Sequence, residues 1–206
     1  MKHKTRNTRM KNNTYLFIDG TNLYAAQYEL FGPKNHLDFS RLIEYIEREL
    51  ETTFNKILFY ASYSPKPRKS SQKQILYLTN EGFFYKSVRN TKHVVFFKGY
   101  RSPTSGKEKE VDVKLAVDIV DNAHRNMFDT CYIVSGDADF MHALEITRTL
   151  GKKVEIVAFE NRIPHRFSFL YNTYVITLSE NKKFKFHRKQ KVTMLKVEKN
   201  ALLKQI

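Results

Sequence analysis

No apolar run in this sequence approaches the roughly 18–20 residues that a membrane span requires, and residues 1–13 carry charge without the apolar segment of an export signal. We therefore expect a soluble, unexported, cytoplasmic protein that makes no use of a membrane. A single cysteine, Cys131, excludes an internal disulfide framework and a multi-cysteine zinc site. Set in the apolar run Cys-Tyr-Ile-Val, it reads as a small buried strand residue. The seven histidines show no His-Glu-x-x-His or other close metal spacing. No Gly-x-Gly-x-x-Gly or Walker pattern follows a strand-like run, which excludes a glycine-rich phosphate cradle.

With 206 residues, 41% of them hydrophobic, the chain can bury one sizeable core. Its charge is distributed unevenly. Residues 1–13 carry five basic and no acidic groups and residues 181–206 carry nine basic and one acidic, so the two ends hold +13 of the net +15 and the body holds only +2. Basic extensions on a nearly neutral body suit a polyanionic substrate. The run Lys182, Lys183, Phe184, Lys185, Phe186, His187, Arg188 interleaves cations with aromatic rings, as single-strand nucleic acid binders do. A solubilising tail is the competing reading, and a membrane-surface role is a weaker third.

The body alternates strand and helix signals. Strand-like runs fall at 15–18, 57–63, 83–88, 94–97, 131–134, 154–159 and 174–178. Helical spacing falls after Asp19, after Asp38 or Ser40, around Ile75–Leu78, at 110–123 and 139–150, with a short helix at 164–170. This alternation predicts a three-layer α/β/α sandwich around a mostly parallel sheet, occupying residues 14–178 between basic extensions at 1–13 and 179–206. Functional groups in such folds collect at the carboxyl ends of the strands.

Four aspartates are expected at that edge. Asp19 follows the 15–18 run, Asp137 and Asp139 follow the 131–134 run, and Asp112 opens the 110–123 helix in line with its inward-facing Leu115, Ala116, Ile119 and Ala123. Two carboxylates about 4 Å apart repel by on the order of 4 kcal/mol at an effective dielectric of 20, so such a cluster must protonate, spread or bind a cation. All-oxygen ligands favour Mg2+ or Mn2+ over zinc. Asp38, Asp121 and Asp129 read as ordinary caps or turn residues. His142, three residues past Asp139, reads as solvent-facing or structural. Phe-Ile-Asp-Gly-Thr at 17–21 resembles the Asp-x-Asp-Gly-Thr of haloacid-dehalogenase-like phosphatases, but Phe17 stands where their nucleophile would be, which excludes that covalent chemistry.

Three segments together resemble the NYN domain, a branch of the PIN-like metal-dependent nucleases: Phe-Ile-Asp-Gly-Thr-Asn-Leu at 17–23, Lys-Glu-Val-Asp-Val-Lys-Leu-Ala-Val-Asp at 109–118 and Val-Ser-Gly-Asp-Ala-Asp-Phe at 134–140. The resemblance continues through Leu-Gly-Lys-Lys-Val at 150–154 and spans about 14–178. It implies that Asp19, Asp112, Asp137 and Asp139 form the acidic metal site, that Asn22 is a polar group beside it, and that Asp118 supports it. Where the family tends to show an Ala-Asp pair before its last strand, this chain has Asn172 and Thr173.

The resulting expectation is a magnesium- or manganese-dependent endoribonuclease acting on single-stranded or loop RNA through a metal-activated water. Ser135 and Asn22 would orient ligands or phosphate. Lys66, Arg68, Lys69, Arg89, Lys92, Arg101, Lys107 and Lys109 would contact substrate, together with Lys182, Lys183, Lys185 and Arg188. The alternatives are an RNA-binding regulatory module without turnover and a DNA nuclease. The sequence leaves a homo-oligomer or a protein partner open.

Overall fold

The computed structural model describes residues 12–33, 35–66, 69, 71–101, 108–178 and 185–203, with the backbone alone at Arg101, Glu108 and Lys109. In chain order the elements are β1 (Thr14–Asp19), α1 (Gly20–Phe31), α2 (Phe39–Glu49), β2 (Lys56–Ala61), α3 (Gln72–Asn90), β3 (Val94–Lys98), β4 (Tyr100–Arg101), β5 (Glu108–Lys109), α4 (Val111–His124), β6 (Thr130–Val134), α5 (Met141–Thr149), β7 (Lys153–Phe159), β8 (Asn172–Thr177) and β9 (Val192–Lys196). Short 3₁₀ turns occur at Ala138–Phe140, Phe167–Phe169 and Lys199–Ala201. No helix among the described residues is long and apolar enough to cross a membrane.

Seven strands form one sheet in the order β3-β2-β1-β6-β7-β8-β9, with every neighbouring pair parallel. A parallel sheet covered on both faces needs strands that are apolar on both sides, and every residue of β1 and of β6 is buried. One face packs Leu16, Ile18, Phe59 and Val134 against α1, α2 and α3. The other packs Tyr15, Phe17, Ile133 and Ile156 against α4 and its neighbours. The three-layer α/β/α sandwich expected from the alternation is thus present. The chain leaves β1 toward β2 and β3 on one side and returns through β6 toward β9 on the other, so the sheet has its switch point between β1 and β6. Crevices form at the carboxyl ends of strands at such a point.

Helix boundaries follow local chemistry. Asp38 caps α2 by accepting from the backbone N–H groups of Ser40 and Arg41. Ser71 and Gln74 form a reciprocal capping box that starts α3. Once started, α3 continues through 83–88, which the sequence reading took for a strand. Phe84, Tyr85 and Val88 are buried there at helical spacing while Phe83 is 58% exposed. Gly20 joins β1 to α1 where a Cβ would lie 2.8 Å from the Tyr60 carbonyl oxygen and closer still to the Phe59 ring. Only glycine fits this junction.

Residues 185–203, within the part read from sequence as a basic extension, belong to the folded body. β9 adds an edge strand to β8, Leu195 and Leu202 are buried in the core, and Leu203 bridges to Leu37. The carbonyl oxygens of Leu202 and Leu203 accept from Asp38 N–H and from Arg41 Nη1, both at 2.9 Å. Three leucines in a lysine-rich run were enough to bring 192–203 onto the body. Removing 181–206 would therefore strip the sheet of a strand as well as remove charge.

Two stability predictions follow from this packing. Leu202→Ala deletes buried methyl groups and should cost about 2–5 kcal/mol in denaturant unfolding, whereas Lys196→Ala on the exposed side of β9 should change little. Burial raises the phenols of Tyr24, Tyr60 and Tyr132 above their ordinary value of 10, and those of Tyr45 and Tyr174 up to about 12. Their contribution to stability is complete below pH 10. Above it the unfolded chain ionises first, so the denaturant midpoint should fall steadily as pH rises beyond 10.

Candidate metal centre and cleft

Asp19 is both the last residue of β1 and the N-cap of α1. Its Oδ1 accepts the Asn22 N–H at 2.9 Å, and the positive end of the α1 dipole favours its charged form. Set at the end of a central strand, the residue is only 6% exposed. The adjacent strand supplies the second donor: Ser135, one residue past β6, donates its hydroxyl to Asp19 Oδ2 at 3.0 Å. The same Ser135 oxygen accepts the Asp137 N–H at 3.0 Å, and Asp137 Oδ1 in turn accepts the Asp139 N–H at 2.9 Å. One hydrogen-bonded chain thus links Asp19, Ser135, Asp137 and Asp139 across the switch point.

The other predicted acids lie at the margin. Asp112 occupies the first turn of α4 and is solvent-exposed; the buried line of that helix runs through Val111, Leu115, Ile119 and Ala123. The spacing puts Asp112 in line with the inward face, whereas in the structure it is exposed and its neighbour Val111 takes the buried position of the first turn. Asp118 accepts a 2.8 Å hydrogen bond from the Tyr60 hydroxyl and pairs with Lys114. Burial first, and then this bond to a carboxylate, hold the Tyr60 phenol protonated as the donor. The trio fastens α4 to β2, which gives Asp118 a supporting position. His142 is 84% exposed and faces Glu145.

Among the described residues no three His, Cys, Asp or Glu side chains are gathered closely enough to enclose a metal ion by themselves. Mg2+ does not require such a cage, because it retains several waters and is held by one or two carboxylates together with substrate phosphates. Asp19, and Asp137 whose backbone N–H meets the same Ser135 hydroxyl, carry the hard oxygen donors that this mode of binding uses.

A cleft of about 530 Å³ opens at Asp137, which lines it together with residues that include Asn22, Gly136, Arg162 and His165. Its far wall is the turn after β7. There Arg162 pairs with Glu29, and Asn161 Nδ2 bonds the Ala26 carbonyl at 3.1 Å and Glu29 Oε2 at 3.0 Å, which holds the turn against α1. Glu160 accepts from Thr177 Oγ1 at 2.5 Å and from Leu178 N–H at 3.0 Å, tying the ends of β7 and β8. A Cβ on Gly136 would lie 2.7 Å from the Arg162 carbonyl oxygen, so this glycine sets how closely the two walls approach. Sequence reasoning missed Arg162 and His165. Neither belongs to a periodic pattern, and the one available signal was their position just beyond a strand end.

Of the expected substrate contacts, Lys66, Lys69, Arg89, Lys92, Lys185 and Arg188 are exposed. Arg68, Lys107, Lys182 and Lys183 lie outside the described residues, and so do the side chains of Arg101 and Lys109.

Ser135→Ala removes the only side-chain hydroxyl in the chain of bonds between Asp19 and Asp137. It should lower stability by about 1–3 kcal/mol in denaturant unfolding and weaken Mn2+ binding in calorimetry, whereas Ser135→Thr should restore part of both. Gly136→Ala should weaken Mn2+ binding less than Ser135→Ala does, since it displaces the cleft wall without removing a bond.

Residues 13–178 match the NYN domain family model. An uncharacterized protein of Methanocaldococcus jannaschii is 27% identical over 200 residues, covering 95% of this chain and 68% of that protein. The crystal structure of a protein of unknown function from Vibrio parahaemolyticus superposes with a TM-score of 0.58 at 20% identity, covering 82% of this chain and 94% of that one; this likeness shows the fold. Together with the parallel sheet and the order of its three acidic segments, the match over most of its length places this chain in the NYN domain family, with that family's nuclease-like fold.

Proposed function

We propose that this protein is a divalent-metal-dependent endoribonuclease that cleaves single-stranded or loop RNA. The observation that supports this most is the meeting of Asp19 and Asp137 through Ser135, at the sheet's switch point and at the mouth of a cleft. A bound Mg2+ or Mn2+ would supply Lewis acidity, generating a hydroxide nucleophile from water and neutralising charge on the scissile phosphate.

The chain's own residues would hold and orient the reactants. Asp19, which accepts from the Asn22 N–H and the Ser135 hydroxyl, is the anchoring carboxylate. Asp137 shares that anchor through Ser135, and Asp139 and Asp112 complete the acidic rim. Asn22 and Arg162 line the cleft and would engage phosphate or ribose oxygens. Asp118, through Tyr60 and Lys114, positions α4 and with it Asp112. With a metal bound, hydrolysis of this kind would not call for a serine or cysteine nucleophile from the chain.

The test is cleavage of labelled single-stranded RNA and DNA with Mn2+, with Mg2+ and with chelator. RNA cleavage that chelator abolishes is expected, and Asp19→Asn or Asp137→Asn should reduce it by roughly 100-fold or more, as loss of a transition-state-stabilising group does. Asp112→Asn should depress cleavage far more than RNA affinity. Binding without cleavage would make the protein a regulatory RNA-binding module, and cleavage of DNA alone would reassign the substrate.

A further inference from the structure

The near-neutral body conceals a strong polarity of charge. Residues 62–101 contain nine Lys and Arg but one acid, Glu81, a net +8, so the rest of 14–180 is net −6. Glu81 is buried and accepts from both Ser64 N–H and Ser64 Oγ, at 2.8 and 2.7 Å, so it anchors the loop after β2 and presents no charge at the surface. Lys66, Lys69, Arg89, Lys92 and Lys98 are all exposed.

Among these cations stands Tyr63, two residues past β2 and half-buried. Its ring is fixed edge-on against Tyr85, with centroids 5.0 Å apart and planes at 89°. Lys98 Nζ lies 5.2 Å and the Arg89 guanidinium 5.7 Å from the Tyr63 centroid, and Arg89 also lies 4.8 Å from Phe96. Lys98 ends β3 in register with Ala61 of β2, and Asp19 ends β1 in register with Tyr60. Lys98 and Asp19 therefore both end strands at the carboxyl edge of the sheet, their backbones two strand spacings or about 10 Å apart. The loop continues from Tyr63 into an apolar cleft of about 320 Å³ lined by Ser64, Pro65, Gln74, Tyr77 and Leu78.

We propose that Tyr63, flanked by Arg89 and Lys98, is a stacking platform for a nucleobase of single-stranded RNA, held beside the acidic site so that the strand runs from the cationic segment 62–101 across the carboxylates. This rests on the nuclease reading above and adds to it a binding site on α3, β3 and the loop after β2. The exposed Arg89 and Lys98 side chains lie over this ring, so on binding they would move to the flanking phosphates and the ring would take the face of a base, as single-strand recognition requires. The acids repel the same phosphates, so without such a platform the strand would have little to hold it at the carboxylate edge.

The test is equilibrium binding of a short labelled single-stranded RNA, and of the same strand with abasic sites, measured by anisotropy in chelator so that no cleavage intervenes. Tyr63→Leu should weaken binding of the intact strand roughly five- to hundredfold and leave the abasic strand unaffected, while Tyr63→Phe should bind as wild type does. Arg89→Gln and Lys98→Gln should each flatten the slope of log affinity against log salt by roughly 0.7. Wild-type affinity in Tyr63→Leu, or equal losses on intact and abasic strands, would overturn the platform. If Tyr63→Leu does not fold, an unchanged salt slope in the two glutamine variants would overturn it instead. Since binding is read without metal, a wild-type protein that binds through Tyr63 but cleaves nothing would refute only the nuclease reading; cleavage with no role for Tyr63 would refute only the platform.

Discussion

A carboxylate that is 6% exposed at the end of a central strand is the constraint around which this structure is arranged. Burying the Asp19 charge is tolerable only where donors meet it, and the fold supplies them from two directions: the first turn of α1, and the Ser135 hydroxyl from the neighbouring strand β6. Both depend on the chain reversing its direction of travel between β1 and β6, because that reversal keeps helices from covering the carboxyl ends of the two strands. The Asp137 and Asp139 backbone bonds extend the same chain outward. The acidic rim therefore follows from one burial problem solved at one topological point.

The walls of the site are held by chemistry that leaves Asp137 and Asp139 open to solvent. Tyr60, Asp118 and Lys114 secure α4 on one side, while Glu160, Thr177, Arg162 and Glu29 secure the β7 turn on the other. Gly20 and Gly136 allow the close approaches that these connections require. The polarity of charge complements this arrangement. An acidic site needs cations near it to attract a polyanion, and segment 62–101 supplies Lys66 in the loop after β2 and Lys98 at the end of β3 on the same sheet edge.

Much of this was legible in the sequence because β1 and β6 are short apolar runs ended by Asp-Gly and Ser-Gly, and α2 shows a capping aspartate and a helical period. Asp19, Ser135 and Asp137 could be placed because each falls directly after such a run. The 83–88 segment misled because Phe, Tyr and Val favour strands, and the capping box at Ser71, which commits the chain to one long helix, lies twelve residues upstream of Phe83. Residues 192–203 looked like a charged tail because their few leucines have partners, such as Leu37, far away in sequence. Arg162, Tyr63 and Lys98 acquire meaning from three-dimensional neighbours alone. The charge of segment 62–101 was present in the sequence but was averaged away when the body was counted as a whole.

The central claim is that Asp19 and Asp137 jointly hold a divalent cation. An anomalous-difference map from crystals of the protein soaked in Mn2+ tests it most directly. The account predicts one strong peak within coordination distance of both carboxylates, beside the Ser135 hydroxyl and open to the cleft. A peak elsewhere on the chain, or no peak at saturating Mn2+, would contradict it.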